Sequence, residues 1–385
     1  MRPGDEAELV AALRGATGPL RIVGGGTRHL GLGGTAALAG AEGVLETAGM
    51  AGVSLYEPEA LTLVARAGTS LAAVAAMLAG ERQRLAFEVP DLRGLLGRQG
   101  TSTLGGVVAA NASGPRRIQV GACRDSLLGV RFVDGAGAVI KNGGRVMKNV
   151  TGYDLVKLMA GSHGTLGVLC EVSFKVQAEP EAEATLVWQG LAAELAVMAL
   201  STALGSPFDV SGAAHVAGLG QTMIRLEGMA GSVAYRSRAL NAALGGGWAV
   251  VTDAASAQMW RGVRDVAALA GRPGAVWRVS VKPAAGPQVV AAMGARVRDA
   301  VYDLGGGLVW LLCDEVAGAD ADAGASELRR LVRGFGGHAT LIRASDAVRQ
   351  RVPVFHPEAA GVVALSRGLR AKFDPRGILN PGMMG

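Results

Sequence analysis

The chain has few of the residues that would make it a disulfide scaffold, a cluster-bearing electron carrier or a nucleic-acid platform. It holds three cysteines, Cys123, Cys170 and Cys313. The count is odd, and the spacing fits neither a disulfide frame nor a zinc or iron–sulfur site, so a reducing compartment is expected. Aromatic residues are only 4% of 385, too few for a stacking platform on single-stranded nucleic acid. Lysine is scarce as well, and the arginines are scattered, with no run longer than Arg116-Arg117 or Arg329-Arg330. The net charge of +6 therefore forms no basic stripe, and no nucleic-acid partner is expected. An anionic small ligand, or a negatively charged protein or membrane surface, suits that charge better. No uncharged apolar run is long enough to span a bilayer; the best, 195–208, contains Ser201, Thr202 and Pro207. The N-terminal stretch carries Asp5, Glu6 and Glu8 where a secretory leader would be basic and then apolar. The expectation is a soluble protein, at most peripheral. No GxxxxGK[ST] occurs, which excludes a P-loop. The GxGxxA match at Gly31, Gly33 and Ala36 has no good strand before it and no amphipathic helix after it, so it fails as a doubly wound dinucleotide site.

What is present is apolar residue and glycine. Half the residues are hydrophobic and 18% charged, which rules out intrinsic disorder. The length exceeds the roughly 250–300 residues at which single cores stop growing, so two cores are expected. The 59 glycines follow no G-X-Y period. Asp5 with Glu8 three residues on predicts a capped helix that Gly15 ends. Arg21-Ile22-Val23 reads as a short strand entering Gly24-Gly25-Gly26-Thr27. Alternation over 61–67 predicts a strand, and Ser70 caps a helix that Gly80 stops. The stretch 97–121 is Gly-rich and without periodicity, the mark of a functional loop. Asp134-Gly135 between 130–133 and 138–141 signals a hairpin. Gly161 to Gly167 turn into an apolar strand over 168–176. The acidic segment 179–183 reads as a linker. Strands follow near Leu186, 223–226, 277–281 and 308–312, and two or three strands with two helices on one face suggest an α+β sandwich. No internal repeat is visible.

Glycine allows positive φ and lets backbone approach a ligand, and successive N–H groups form a concave nest for phosphate oxygens. One GGGT is weak evidence. Three loops together are stronger: Arg21-Ile-Val-Gly-Gly-Gly-Thr27; Thr103-Leu-Gly-Gly106 with Asn111-Ala-Ser-Gly114; and Gly164-Thr-Leu-Gly-Val168. In this order and spacing they resemble the FAD-binding domain of the vanillyl-alcohol oxidase, or PCMH-type, flavoproteins. The tail Phe373-Asp-Pro-Arg-Gly-Ile-Leu-Asn-Pro-Gly382 is similar to the C-terminal signature of FAD-linked oxidases. Further segments resemble the smaller FAD-binding subunits of bacterial glycolate oxidase: Arg145 to Asp154, Leu158 to Gly167, Trp277-Arg278-Val279-Ser280, and Gly336 to Arg343.

The resemblance implies an α+β fold. It has a two-subdomain PCMH-type FAD-binding domain over 1–178, a smaller antiparallel α+β cap domain over 179–350, and a tail, 351–385, returning to the FAD domain. It also implies site residues. Gly24, Gly25, Gly26 and Thr27 would hold the FAD pyrophosphate. Pro90 and Asp91 would lie along the flavin path. Thr103, Gly105, Gly106, Asn111 and Ser113 would line a second wall, and Gly164, Thr165, Gly167 and Val168 would close over the cofactor. Some relatives tether flavin through His or Cys in the first loop; here His29 lies beyond Thr27, so FAD is expected to be non-covalent. Lys148-Asn149 and Tyr153-Asp154 read as a brace for the cofactor loop. Arg278 alternates with Trp277 and Val279, so it points away from their face. It is a candidate for an anionic substrate, and His338 is a weaker catalytic candidate. His29 and His163 read as loop residues. Catalytic relatives carry GDGNLH-type and EHG-type segments that this sequence lacks. The implied function is the FAD-binding subunit of a glycolate oxidase (dehydrogenase) complex acting on glycolate or a related 2-hydroxy acid. Its partners would be a larger flavin subunit and an iron–sulfur subunit, in the cytoplasm or peripheral at the inner face of the cell membrane. No metal site is expected. The alternatives are a non-catalytic flavin-containing assembly subunit and a stand-alone FAD-linked hydroxy-acid or alcohol oxidase.

Overall fold

Local signals set the N-terminal helix, Glu6–Gly15. Asp5 Oδ1 accepts from the Glu8 N–H at 2.9 Å, and Glu8 reaches back to the Gly4 N–H at 2.7 Å, so the entry turn is pinned from both sides. Leu9 and Leu13 then pack on Leu20, Leu45, Ile378 and Leu379. The computed structural model describes residues 1–28, 30, 43–145, 152–315 and 322–384; His29, the GxGxxA match at 31–36, Lys148 and Asn149 fall outside them.

Three sheets are built among the described residues. The first pairs β1 (Leu20–Val23) with β2 (Gly43–Glu46) in parallel, and the tail adds to it where Leu379 bridges Leu20. The second is antiparallel: β3 (Val53–Glu57), β4 (Thr62–Arg66), β5 (Gln83–Leu85), β6 (Leu127–Val133), β7 (Val139–Gly143) and β8 (Val168–Ala178). Its order is β3-β4-β8-β6-β7, with β5 also on β8. Strand β8 is the hub because its apolar run is buried on both faces over its first half. The third sheet belongs to the cap domain: β9 (Ala182–Gln189), β10 (Val210–Val216), β11 (Gln221–Gly228), β12 (Ala249–Thr252), β13 (Ala275–Ser280), β14 (Val297–Asp303), β15 (Leu308–Cys313) and β16 (His338–Arg343). The eight strands run in the order β12-β9-β11-β10-β14-β15-β13-β16, all antiparallel. The cap thus has a larger sheet than the two or three strands expected.

That order exposes a repeat the sequence hides. Strands β9 to β12 form a β-α-β-β-α-β unit with the helices Ala193–Leu204 and Ala230–Ala243. Strands β13 to β16 form a second with the helices Ala285–Met293 and Ala325–Gly334. The units join where β10 pairs with β14, His215 opposite Tyr302. Equivalent strands differ in residues and even in burial, β12 being mostly exposed where β16 is mostly buried, so the repeat leaves no mark at the level of single residues.

The four helices cover one face of the cap sheet, over Leu186, Ile224, Trp277 and Leu341. The opposite face, with Val276, Trp310 and Leu312, packs on Trp260 and Val263 of the helix Asp253–Arg264, and on Leu92 and Leu95 of the N-terminal half. The halves are also joined by buried charge. Arg84, Glu88 and Arg116 meet Arg225 and Glu227 of the cap. The stretch 97–121 is not structureless: it holds the helices Leu104–Ala109 and Arg117–Val120. The first forms despite its glycines because Thr103 Oγ1 accepts from the Gly106 N–H and Leu104, Val107 and Val108 are buried.

Candidate functional site

The small parallel sheet delivers the first loop. Strand β1 ends at Val23, and the 24–27 turn then runs against 101–103. A Cβ on Gly25 would lie 1.5 Å from the Thr101 carbonyl oxygen, and one on Gly24 would lie 2.4 Å from Thr103 Oγ1. Two backbones approach here as only glycine permits. The short helix Leu104–Ala109 follows, held against Ala67 through Gly105. The third loop, 161–167, enters β8 with positive φ at His163 and Gly164. The tail clamps first to third: Asn380 Oδ1 accepts from the Ile22 N–H, and Asn380 Nδ2 donates to the His163 carbonyl, both at 2.8 Å.

These loops enclose one cleft with an empty volume of about 820 Å³, open to solvent. Gly24, Gly25, Gly26, Thr27, Thr103, Gly105, Gly106, Gly164, Gly167 and Val168 line it, as do Arg28, Ser162, His163, Asn380 and Met383. The other expected residues stand behind the wall. Thr165 is buried and donates to the Ser162 carbonyl. Asn111 accepts from the Arg124 N–H, and Ser113 donates to the Asn111 carbonyl and accepts from the Cys123 N–H. The Pro90 carbonyl accepts from Arg28 Nη2 at 2.9 Å. Asp91 pairs with Arg93, and its N–H donates to Asp265 of the cap. Asp154 caps the helix Leu155–Met159, whereas Tyr153 is exposed.

Among the described residues, two buried polar atoms at the cleft lack protein partners: Ser162 Oγ and Arg28 Nε. Burial lowers the Arg28 pKa to about 10, yet its other nitrogens stay bonded to Ser102 and Pro90. A glycine turn packed where no Cβ fits and two unspent polar groups at the cleft fit a phosphate-bearing cofactor such as FAD. The 24–27 backbone could hold its pyrophosphate.

The cap contributes the other side. Trp277 and Val279 sit in the helix-covered core, so Arg278 projects from the face turned to the N-terminal half. Among the described residues its guanidinium makes no hydrogen bond or ion pair, while its backbone pairs with β15 and β16. Burial, and then the nearby Arg117, lower its pKa. Burial and Arg278 also push His163 down to about 4, which leaves it neutral, and they lower His338. The His163 ring packs on Phe355 at 5.3 Å between centroids. Asp303, in register with Leu308, Ser280 and His338 across the sheet, is pushed up to about 7 by burial. The arrangement can bind an anion at Arg278 and hold a proton near neutrality. Sequence reasoning missed Arg28, Ser162, Asp303 and the clamp role of Asn380, and treated His163 as filler. Only Asn380 carried a signal, as part of the tail motif. Cys123, Cys170 and Cys313 are free and buried, and no metal-binding group of His, Cys, Asp or Glu occurs among the described residues.

Residues 1–143 match the family described as FAD binding domain. The chain is 34% identical to the glycolate oxidase subunit GlcE of Escherichia coli over 86% of its own length and 84% of the relative. It is 27% identical to a D-2-hydroxyglutarate dehydrogenase of Xanthomonas citri over 99% of its length and 88% of that protein. In fold it matches a solved alkyldihydroxyacetonephosphate synthase with a TM-score of 0.67 at 16% identity, covering 99% of this chain and 76% of that one.

Proposed function

The chain belongs to the family of the glycolate oxidase subunit GlcE, and on that premise we propose that it is the FAD-binding subunit of a complex oxidising glycolate or a related 2-hydroxy acid to the 2-oxo acid. The observation that carries this reading is the meeting of three glycine loops in one cleft beside an arginine that makes no ion pair among the described residues. When bound, FAD supplies the two-electron acceptor that no side chain can provide. The chain's own residues do the rest. The 24–27 backbone and Arg28 bind and orient the phosphates. Arg278 takes the substrate carboxylate through charge-assisted hydrogen bonds worth about 1.5–3 kcal/mol. His163, held neutral, packs beside the cleft without adding charge. Asp303 and His338 stand near Arg278 on the same face of the second repeat, and Asp303 can hold a proton near neutral pH.

The first loop offers neither His nor Cys over 24–27, which supports non-covalent FAD. The partners on this reading are a larger flavin subunit and an iron–sulfur subunit. No helix among the described residues is long and apolar enough to cross a membrane, and the complex is read as cytoplasmic or peripheral at the inner membrane face. The test is the visible spectrum of the purified chain, followed anaerobically after glycolate is added. Flavin bands that bleach assign the oxidation to this chain. Bands that persist until the larger subunit is added make it a partner-dependent subunit. A well-folded protein without flavin bands refutes the cofactor assignment.

A further inference from the structure

The helix Ala360–Phe373 has its apolar side facing out. None of its 14 residues is buried. The residues leaning on the protein are Val363, Ser366, Arg370 and Phe373, and two of these are polar. Ser366 donates to Glu358, and Arg370 donates to the Met384 carbonyl. Val362, Leu365 and Leu369, at i, i+3 and i+7, are instead 47%, 72% and 41% exposed. A surface helix normally turns its apolar stripe inward. Gly361 and Gly368 share the outer arc, and a Cβ on either would meet nothing within 4 Å. Mid-helix Gly368 weakens the helix relative to alanine, and nothing among the described residues crowds the position to require it. Bare backbone on an outward face suits the close approach of another body.

We propose that this face seats another protein subunit of the complex, one presenting an apolar groove edged by carboxylates. The inference rests on the subunit reading above. Charge selects the occupant: the helix carries Arg367, Arg370 and Lys372 and no acid. A second copy would set these cations against their own images, a like-charge arrangement that specific interfaces avoid. A lipid surface accounts poorly for the glycines, and the outer arc has only Arg367 and Lys372 and no Trp, short of the basic and aromatic content of interfacial helices. The seat lies beside the cleft. Phe355, just before the helix, packs on His163, and Arg370 holds Met384, next to the cleft residue Met383. A subunit bound here sits at the mouth of the flavin site.

The experiment co-expresses this chain with the larger flavin subunit and the iron–sulfur subunit and follows size-exclusion elution with flavin absorbance per chain. Wild type should co-elute. Leu365→Glu/Leu369→Glu should elute free, its affinity reduced at least 100-fold, with flavin content and circular dichroism unchanged. Arg367→Glu/Lys372→Glu should weaken binding about tenfold and flatten its salt dependence. If the double-glutamate variant still co-elutes with undiminished affinity, the face is not the seat, although the subunit reading stands. If wild type elutes apart from both companions, the subunit reading falls and this inference with it. Self-association of the chain alone, or sedimentation with phosphatidylglycerol vesicles, that the same variant abolishes would assign the face to a second copy or to lipid and overturn the proposal.

Discussion

Glu227→Gln should separate the two halves of the molecule energetically. The buried Glu227 carboxylate accepts from Arg84 Nη1 at 2.6 Å and from Arg116 Nε and Nη2, both at 2.9 Å. Glu88, across the same junction, takes Arg225 Nη1 at 2.8 Å and the Arg116 N–H at 2.7 Å. Three guanidiniums therefore share two carboxylates, and the amide leaves them one. Removing one partner of a buried ion pair costs about 3–5 kcal/mol, because the uncompensated charge stays desolvated. Against a total stability of roughly 5–15 kcal/mol that is a large fraction, and at about 2–4 °C per kcal/mol it lowers the melting midpoint by on the order of 10 °C. Urea unfolding read by tryptophan fluorescence is the assay, since Trp260 lies under the Arg225 guanidinium at 4.6 Å. A second variant, Glu227→Gln/Arg84→Met, removes one surplus cation and should recover part of the loss. Acid behaviour carries the same signature. Burial alone would push the Glu227 and Glu88 carboxyls up, but Arg225 and Arg116 outweigh it and hold both below the usual carboxylate range. Their stabilisation is therefore full above about pH 5 and lost as pH falls through the acid range. Glu227→Gln should show a shallower acid limb. A loss under about 1 kcal/mol, the range of exposed pairs, would mean that water reaches this cluster and that the packing of the halves has been misjudged.

Two substitutions test the cleft. Gly25→Ala sets a methyl group 1.5 Å from the Thr101 oxygen, so the first and second loops must part; the purified protein should carry less than about a tenth of wild-type flavin by its visible-to-ultraviolet absorbance ratio, each 1.4 kcal/mol of lost affinity being tenfold. Asn380→Ala orphans the Ile22 N–H and the His163 carbonyl, at about 1–3 kcal/mol each; flavin release on dilution should quicken 10- to 100-fold, and wild-type release would deny the tail its clamp role.

The glycine loops were legible because close backbone approach leaves a mark at single positions: Gly24, Gly25 and Gly105 have no room for a Cβ. The side of β13 from which Arg278 projects was legible for a similar reason, since strand alternation is local. The rest depended on distance in sequence or on burial. Asn380 acts on Ile22 and His163, 358 and 217 residues away, and nothing near it in sequence names them. Asp303 reads as a surface acid until the sheet buries it. Leu104–Ala109 is a run of Leu, Gly, Val and Ala whose glycines and valines are poor helix formers, and only packing and the Thr103 cap make it a helix. Strand β10, Val-Ser-Gly-Ala-Ala-His-Val, is buried at every position. It therefore lacks the alternation that marks a half-exposed strand, and with it went the key to the repeat.

The two repeats of the cap use one sheet face in opposite ways. On the first, Arg225 is fully engaged, with Glu88 and Ser211 as partners and Trp260 beneath it. On the second, Arg278 meets no carboxylate within ion-pair reach among the described residues; burial and Arg117 work against its charge, and Asp303 works for it at longer range. A half-buried guanidinium without a hydrogen-bonded counter-ion is disfavoured in the free protein, and a bound carboxylate offsets that. Arg278→Met should therefore leave the free protein as stable as wild type or more so, with flavin content unchanged. The difference appears on adding a hydroxy acid. A ligand at about 100 times its Kd stabilises wild type by about 2.7 kcal/mol, and the variant should show almost none of that shift, with KM for glycolate raised about 10- to 100-fold. If Arg278→Met instead unfolds the free protein while keeping the ligand shift, the arginine is a structural cation, and the substrate carboxylate must be held elsewhere.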